Sequence, residues 1–274
     1  MWARGEVWVL KVKQPEVRSQ KSEESQPMLR CEGLNKCFDG TRALRDVRLA
    51  FPSSGIVAII GPNGAGKTTL LNVLTGFLRP DTGRFFLGEW ELTRVAPHRI
   101  ARLGIARTFQ DLRLITLVPV LENVMLARPN QMGERLWHAL FRFGLAAQEA
   151  RNREHAIRWL QFVGLDQQAH EPAGELSYGQ QKLLTLACCL AAEARILLLD
   201  EPVAGVHPNM TEKILGLLRE LRGMGKLVVF VEHDMTAVRQ VADQVVVMDE
   251  GRIIAHGQPK EVLERPEIME AYVG

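Results

Sequence analysis

"IVAIIGPNGAGKTTLLNVLTG", residues Ile56–Gly76, decides the fold of this 274-residue chain. "IVAII" is a short, mostly β-branched apolar run between glycines and reads as a buried strand. "KTTLLNVLTG" reads as a helix stopped by Gly76. Between them "GPNGAGKTT" (Gly61–Thr69) matches G-x-x-x-x-G-K-[ST] at Gly61, Gly66, Lys67 and Thr68. In such a loop the glycines let backbone N–H groups wrap phosphate oxygens, and the helix N-terminus adds positive potential. Lys67 reaches the β- and γ-oxygens, and the Thr68 hydroxyl holds Mg²⁺.

Working outward, short strands and turns fill residues 29–109. Periodic apolar residues in "LENVMLA", "RLWHALFRF" and "EHAIRWLQFVGL" then read as helices without intervening strands, an all-helical insertion over about 111–176. After Leu176 helix and strand alternate: "YGQQKLLTLACCLAAEA", "RILLLD", "PNMTEKILGLLRELRG", "KLVVFVEH", "DMTAVRQVA", "QVVVMD". That alternation implies a parallel sheet covered on both faces, with its ligand site beyond the carboxyl ends of the strands. Residues 1–27 end in "KVKQPEVRSQKSEESQP", polar and mixed in charge, the pattern of a disordered tail. Met28 directly precedes the first strand-like segment, so an internal translation start there is an expectation.

Bulk composition narrows the class. A 46% hydrophobic content supports a real core, and 34 basic against 32 acidic residues give a net charge of only +2. No blanket positive field exists to neutralise nucleic-acid phosphates. The apolar runs are strand-sized, far below the roughly 20 residues that cross a bilayer. The four cysteines, Cys31, Cys37, Cys188 and Cys189, lack metal-type spacing and read as buried or half-buried thiols in a reducing cytoplasm.

Further polar residues stand at strand ends. Asp200 closes the apolar run of "RILLLDEP", where a carboxylate is expensive unless a cavity or cation such as Mg²⁺ receives it. Glu201 follows and alternation turns it elsewhere, toward a water that could attack a γ-phosphate; alternatively both acids cap the next helix. His233 ends "LVVFVEH", Gln110 ends the strand-like "ARTFQ", and Phe38 stands before the loop in "NKCFDG". Taken singly, these three are as well explained as a satisfied polar residue, a surface glutamine and a core aromatic.

As an ordered set, "GPNGAGKTT", Gln110, "LSYGQQ" (Leu176–Gln181), "ILLLDE" (Ile196–Glu201) and His233 resemble the nucleotide-binding cassette of ABC transporters over nearly all of residues 28–274. The resemblance implies a P-loop α/β fold with a mostly parallel core sheet, an antiparallel β part and the helical insertion. It also implies a head-to-tail pair of cassettes, identical or homologous, with ATP and Mg²⁺ sandwiched between the loop of one and the LS-x-GQ turn of the other. In that scheme Phe38, Gly61, Pro62, Asn63, Gly64, Ala65, Gly66, Lys67, Thr68, Thr69 and Gln110 contact ATP. Ser177, Gly179 and Gln180 grip the γ-phosphate bound to the neighbour. Thr68, Gln110 and Asp200 hold the metal, and Glu201 and His233 are catalytic. Ser177 as a plain helix cap would also account for its local sequence.

Two departures from the commonest cassette pattern are Tyr178, a position often Gly, and His207, where many cassettes carry Asp. With the helical insertion and the C-terminal "PEIMEAYVG", they make the chain most similar to cassettes of branched-chain or other hydrophobic amino-acid uptake systems, with urea-uptake cassettes the near neighbour. The resemblance then implies an ATPase peripheral to the cytoplasmic face of the membrane. It would drive separate permease subunits, with a solute-binding protein in the system but out of contact and no nucleic acid. A soluble cassette acting on ribosomes or DNA, and a small-molecule P-loop kinase, are the alternatives; the latter leaves "LSYGQQ" unexplained.

Overall fold

The computed structural model describes residues 28–108, 112–129, 145–266 and 268. The expected tail at 1–27, Gln110, the helix read in "RLWHALFRF" and most of "PEIMEAYVG" lie outside the described residues. Strands β1 (Leu29–Phe38), β2 (Thr41–Phe51), β4 (Thr82–Leu87) and β5 (Trp90–Glu91) form an antiparallel sheet in the order β2-β1-β4-β5. A second sheet has the order β10-β9-β3-β8-β7-β6. It is built from β3 (Gly55–Ile60), β6 (Ile105–Arg107), β7 (Ile196–Asp200), β8 (Leu227–Val231), β9 (Gln244–Asp249) and β10 (Arg252–Gly257). All its pairings are parallel except β10 on β9. This is the α/β cassette architecture expected above, with a mostly parallel core sheet and a separate antiparallel one.

Every residue of β3, β7 and β8 is buried, because successive side chains enter two different cores. In β3, Ile56, Ala58 and Ile60 face one core, while Val57 and Ile59 face the other. The second core also takes Leu70, Leu71 and Leu74 of α1 (Lys67–Leu74) and Leu34, Leu44, Val47 and Phe51 of the antiparallel sheet. The first core takes the apolar faces of α5 (Tyr178–Ala191), α6 (Pro208–Gly223) and α7 (Met235–Val241). Two further short helices are α2 (Pro97–Arg102) and α8 (Pro259–Leu263).

Between β6 and β7 the described residues hold α3 (Val120–Leu126), α4 (Leu145–Val163), a 3₁₀ turn at Ala173–Glu175 and α5, and no strand. Val120, Leu121 and Val124 of α3 and Ala156, Leu160 and Val163 of α4 join the core beneath α5. The helical segment therefore shares a core with the sheet. Buried Asn123 of α3 clamps the approach to this segment. Its Oδ1 accepts from Ile115 N–H at 2.9 Å, and its Nδ2 donates to the carbonyls of Ile115 (3.1 Å), Val118 (3.1 Å) and Pro119 (3.2 Å). The clamped turn carries Ile115 and Leu117 on its outside, 50% and 90% exposed.

Three of the four cysteines are interior or half-buried, and burial pushes the thiols of Cys31 and Cys189 up to about 12. Cys37 is a correction, since it is exposed. Register shifts in the β1–β2 ladder break the alternation that puts Leu29 and Cys31 inside. Among the described residues no helix is long and apolar enough to cross a membrane.

Phe230 is fully buried on β8, in the middle of the parallel sheet. Phe230→Ala removes an aromatic ring from that core and lowers unfolding free energy by about 3–5 kcal/mol, measured by denaturant titration.

Candidate functional site

Loop 61–66 leaves the carboxyl end of β3 and runs into α1. Two glycines are dictated by close approach. A Cβ at Gly61 would lie 2.1 Å from the Met248 carbonyl oxygen, and one at Gly66, where φ is 96°, 2.3 Å from that of Ala43. The loop backbone is thus pressed between β9 and β2, and it is closed by Ala65 N–H donating to Pro62 O at 3.2 Å. Lys67 is only 6% exposed; its Nζ donates to the carbonyls of Gly61 (2.5 Å) and Pro62 (2.9 Å). Burial lowers the Lys67 pKa, while the nearby carboxylates of Glu201 and Asp200 favour the charged form. Asn63, Gly64 and Thr68 are exposed, Ala65 is buried, and Pro62 and Thr69 are half-buried. Phe38, at the end of β1, is 44% exposed and belongs to neither core, with Lys36 Nζ 5.4 Å from its ring centroid.

Asp200 ends β7 beside β3's neighbour β8 and has a partner that sequence reasoning missed. Arg107 Nη2 lies 2.9 Å from Asp200 Oδ2, with both side chains 4% exposed, and Arg107 Nη1 donates to Asn72 Oδ1 at 2.6 Å. Burial pulls the Arg107 pKa down and the Asp200 carboxylate opposes it. The desolvation of this acid is therefore offset by a guanidinium. No local signal marks the pair, since its members are 93 residues apart.

Glu201 has φ 49°, the left-handed region that a non-glycine residue rarely occupies. Its N–H donates to Val231 O at 3.0 Å, and its Oε1 lies 3.4 Å from His233 Nε2. The alternative in which Asp200 and Glu201 cap the next helix is not what the structure holds. His207 caps α6 instead, its Nδ1 accepting from Asn209 N–H at 3.3 Å. Glu232, also missed, is 2% exposed and receives Val203 N–H at 2.9 Å and His233 N–H at 3.2 Å. A carboxylate ending an apolar strand is the signal that singled out Asp200, and it applied to Glu232 as well.

Ser177 is the N-cap of α5. Its Oγ accepts from Gln180 N–H at 3.4 Å, and its own N–H donates to Gln180 Oε1 at 2.9 Å, a capping box. The N–H groups of Tyr178 and Gly179 fall in the first turn, where no intrahelical acceptor exists. Gly179 is tightly packed: a Cβ there would lie 2.8 Å from Met210 Cγ. Lys182, one turn on, donates to the Glu201 carbonyl at 2.5 Å and stands 5.1 Å from the Tyr178 ring centroid. The structure thus gathers Lys67, Asp200, Glu201 and His233 at one sheet edge. Ser177 bonds Gln180 and not loop 61–69 among the described residues.

Among the described residues no group of three or more His, Cys, Asp and Glu could enclose a metal ion. A hydroxyl at Thr68 and a carboxylate at Asp200 are hard oxygen donors, and Mg²⁺ takes one or two such ligands with the rest from water and substrate phosphates. In oxygen chemistry these two residues suit that ion, with Asp200 Oδ2 also paired to Arg107.

The ABC transporter family model matches residues 44–204. The branched-chain amino acid transport ATP-binding proteins BraF of Pseudomonas aeruginosa and LivG of Salmonella typhimurium are 38% and 39% identical to this chain. Each match spans 254 residues, 91% of this chain and 99% of the relative. The fold is similar to a nucleotide-free ATP-binding cassette from an ABC transporter, at TM-score 0.80 and 35% identity, covering 90% of this chain and 99% of that one. A dimeric bacterial ABC transporter cassette superposes at TM-score 0.71 with 26% identity, covering 85% of this chain and 99% of that one. With its loop, strand-end acids and capped turn in the family's order, the chain belongs to the ABC transporter family, as an ATPase cassette.

Proposed function

We propose that this cassette hydrolyses ATP to energise uptake of branched-chain or related hydrophobic amino acids through separate permease subunits. The observation that carries the choice of cargo is the match over 91% of this chain and 99% of each relative to transport proteins of that class.

In the proposed mechanism the backbone of loop 61–66 and the start of α1 cradle the phosphates, with Pro62, Asn63, Gly64, Ala65 and Thr69 forming its wall. Lys67 shifts its ammonium from the carbonyls of Gly61 and Pro62 to the β- and γ-oxygens, a short move for a side chain already inside the loop. Phe38, exposed at the end of β1, stacks on the base. Thr68 and Asp200, with Gln110, would hold Mg²⁺, which would supply neutralisation of phosphate charge. Glu201 takes the proton of the attacking water, and His233, within reach of Glu201 Oε1, holds that carboxylate and the γ-phosphate in register.

Ser177, Gly179 and Gln180 act in trans on ATP bound to a second cassette. Support comes from the hydrogen bonds of Ser177, which among the described residues go to Gln180 and not to its own loop, and from a dimeric relative. The capping box and the trans role are compatible, because the cap uses Gln180 N–H and leaves the first two N–H groups of the helix for an anion. The permease docks in a groove of about 730 Å³ between α2, β6, α3 and α5, bordered by the exposed side chains of Phe77, Ile115 and Leu126. The chain would then sit on the cytoplasmic face of the membrane, with the solute-binding protein out of contact on the other side.

Three substitutions test these roles. Lys67→Ala lowers ATP affinity roughly 10- to 100-fold, the equivalent of one or two charge-assisted hydrogen bonds, in a nucleotide titration. Glu201→Gln keeps ATP affinity, cuts phosphate release by about 10²–10⁴-fold and accumulates an ATP-dependent dimer seen by light scattering. Ser177→Arg leaves ATP binding by the isolated chain intact and abolishes turnover of the assembled pair; loss of binding in the monomer would contradict the role in trans. The cargo itself is tested by identifying the permease and solute-binding protein that copurify with the chain and measuring leucine binding by the latter.

A further inference from the structure

We propose that Lys182 and Glu232 are positioning residues that lock the left-handed peptide of Glu201 and so aim its carboxylate; the inference rests on the proposed role of Glu201 in water activation. A non-glycine residue at φ 49° is strained and persists only where its surroundings over-determine it. The surroundings can be named. Glu201 N–H is fixed by Val231 O at 3.0 Å, and Glu201 O is fixed by Lys182 Nζ at 2.5 Å and by Ala204 N–H at 3.3 Å. Two residues further along, Val203 N–H is held by Glu232 Oε1 at 2.9 Å. The other oxygen of the same carboxylate takes the N–H of His233 at 3.2 Å, and the His233 ring returns to Glu201 Oε1 at 3.4 Å. The loop leaving β7 and the loop leaving β8 are thereby stapled together by one buried acid.

Neither Lys182 nor Glu232 has a part in the proposed chemistry, yet Glu232 is buried and Lys182 half-buried, at a cost in desolvation. Burial raises the Glu232 pKa, opposed by backbone N–H groups and by Lys182; burial lowers the Lys182 pKa, opposed first by Glu232 and then by Glu201 and Asp200. Their charges compensate one another across the Glu201 peptide. Lys182 stands one helical turn from Tyr178, whose ring also meets the backbone after Glu201: a Cβ on Gly205 would be 3.4 Å from Tyr178 Cε1. The N-terminal part of α5, capped by Ser177, is therefore joined to the Glu201 peptide by a specific donor one turn in.

The test compares Lys182→Met, Lys182→Arg, Glu232→Gln and Glu201→Gln in the full chain, at concentrations that saturate dimer assembly. It reads kcat, KM for ATP, nucleotide affinity and thermal midpoint. Lys182→Met and Glu232→Gln are expected to lose about 10- to 100-fold in kcat, with KM and affinity within about twofold of wild type. Lys182→Arg, which still donates to the carbonyl, recovers most of the loss. Wild-type kcat in Lys182→Met, or an Lys182→Arg no better than Lys182→Met, overturns the inference. Should Lys182→Met fail to fold, Glu232→Gln decides, and wild-type kcat there overturns it equally. If Glu201→Gln is inactive while the other variants turn over normally, only the positioning role falls. If Glu201→Gln turns over at the wild-type rate, the assignment of Glu201 falls and takes the positioning role with it.

Discussion

A parallel sheet sealed on both faces leaves one place for polar chemistry. The side chains of β3, β7 and β8 enter two apolar cores throughout their length, so a charged group on them is tolerable only where the strands run out. Gly61 follows the end of β3, Asp200 closes β7, and Glu232 and His233 follow β8. The register of β7 against β8, Asp200 opposite Val231, brings these ends level. The clustering of loop, acids and histidine is thus a consequence of strand length and burial, before any ligand is considered.

Once gathered, these groups form a network in which no buried charge stands alone. Arg107 compensates Asp200 and reaches Asn72 of α1, so the acid at the end of β7 is tied to the helix that follows the loop. Removing one member of such a buried pair strands the other, a loss of about 3–5 kcal/mol in comparable cases. Lys67 is held among carbonyls with two carboxylates nearby, and Glu232 is held by backbone N–H groups. Side chains fixed in this way bring little reorganisation cost to the moment of reaction, which is the usual source of electrostatic catalysis.

Much of this was readable from the chain, for identifiable reasons. β3, β7, β8 and β9 are continuous apolar runs, and loop 61–66 is set by glycines that nothing larger could replace at Gly61 and Gly66. β10 escaped notice because it alternates weakly and follows β9 through Glu250–Gly251, a tight turn with positive φ at both residues but without the Asn-Gly or Asp-Gly signature. Cys37 was misjudged because bulges in β1 are invisible to a strict two-residue period. Arg107 and Lys182 gave no signal, since their partners lie 93 and 19 residues away and their roles exist only after folding. Glu232 was overlooked beside the more conspicuous His233, although Glu232 is the buried one of the two and His233 is exposed.

Asn123 has an effect beyond local packing. By binding Ile115, Val118 and Pro119 at once, it freezes the lip on which Ile115 and Leu117 stand outward. A loose lip would have to surrender conformational freedom on contact, and affinity would suffer by the entropy of each immobilised side chain and bond. Here that entropy is forfeited during folding. The permease proposed to dock there would meet a preformed mould, and its affinity would turn on complementarity of shape and release of water.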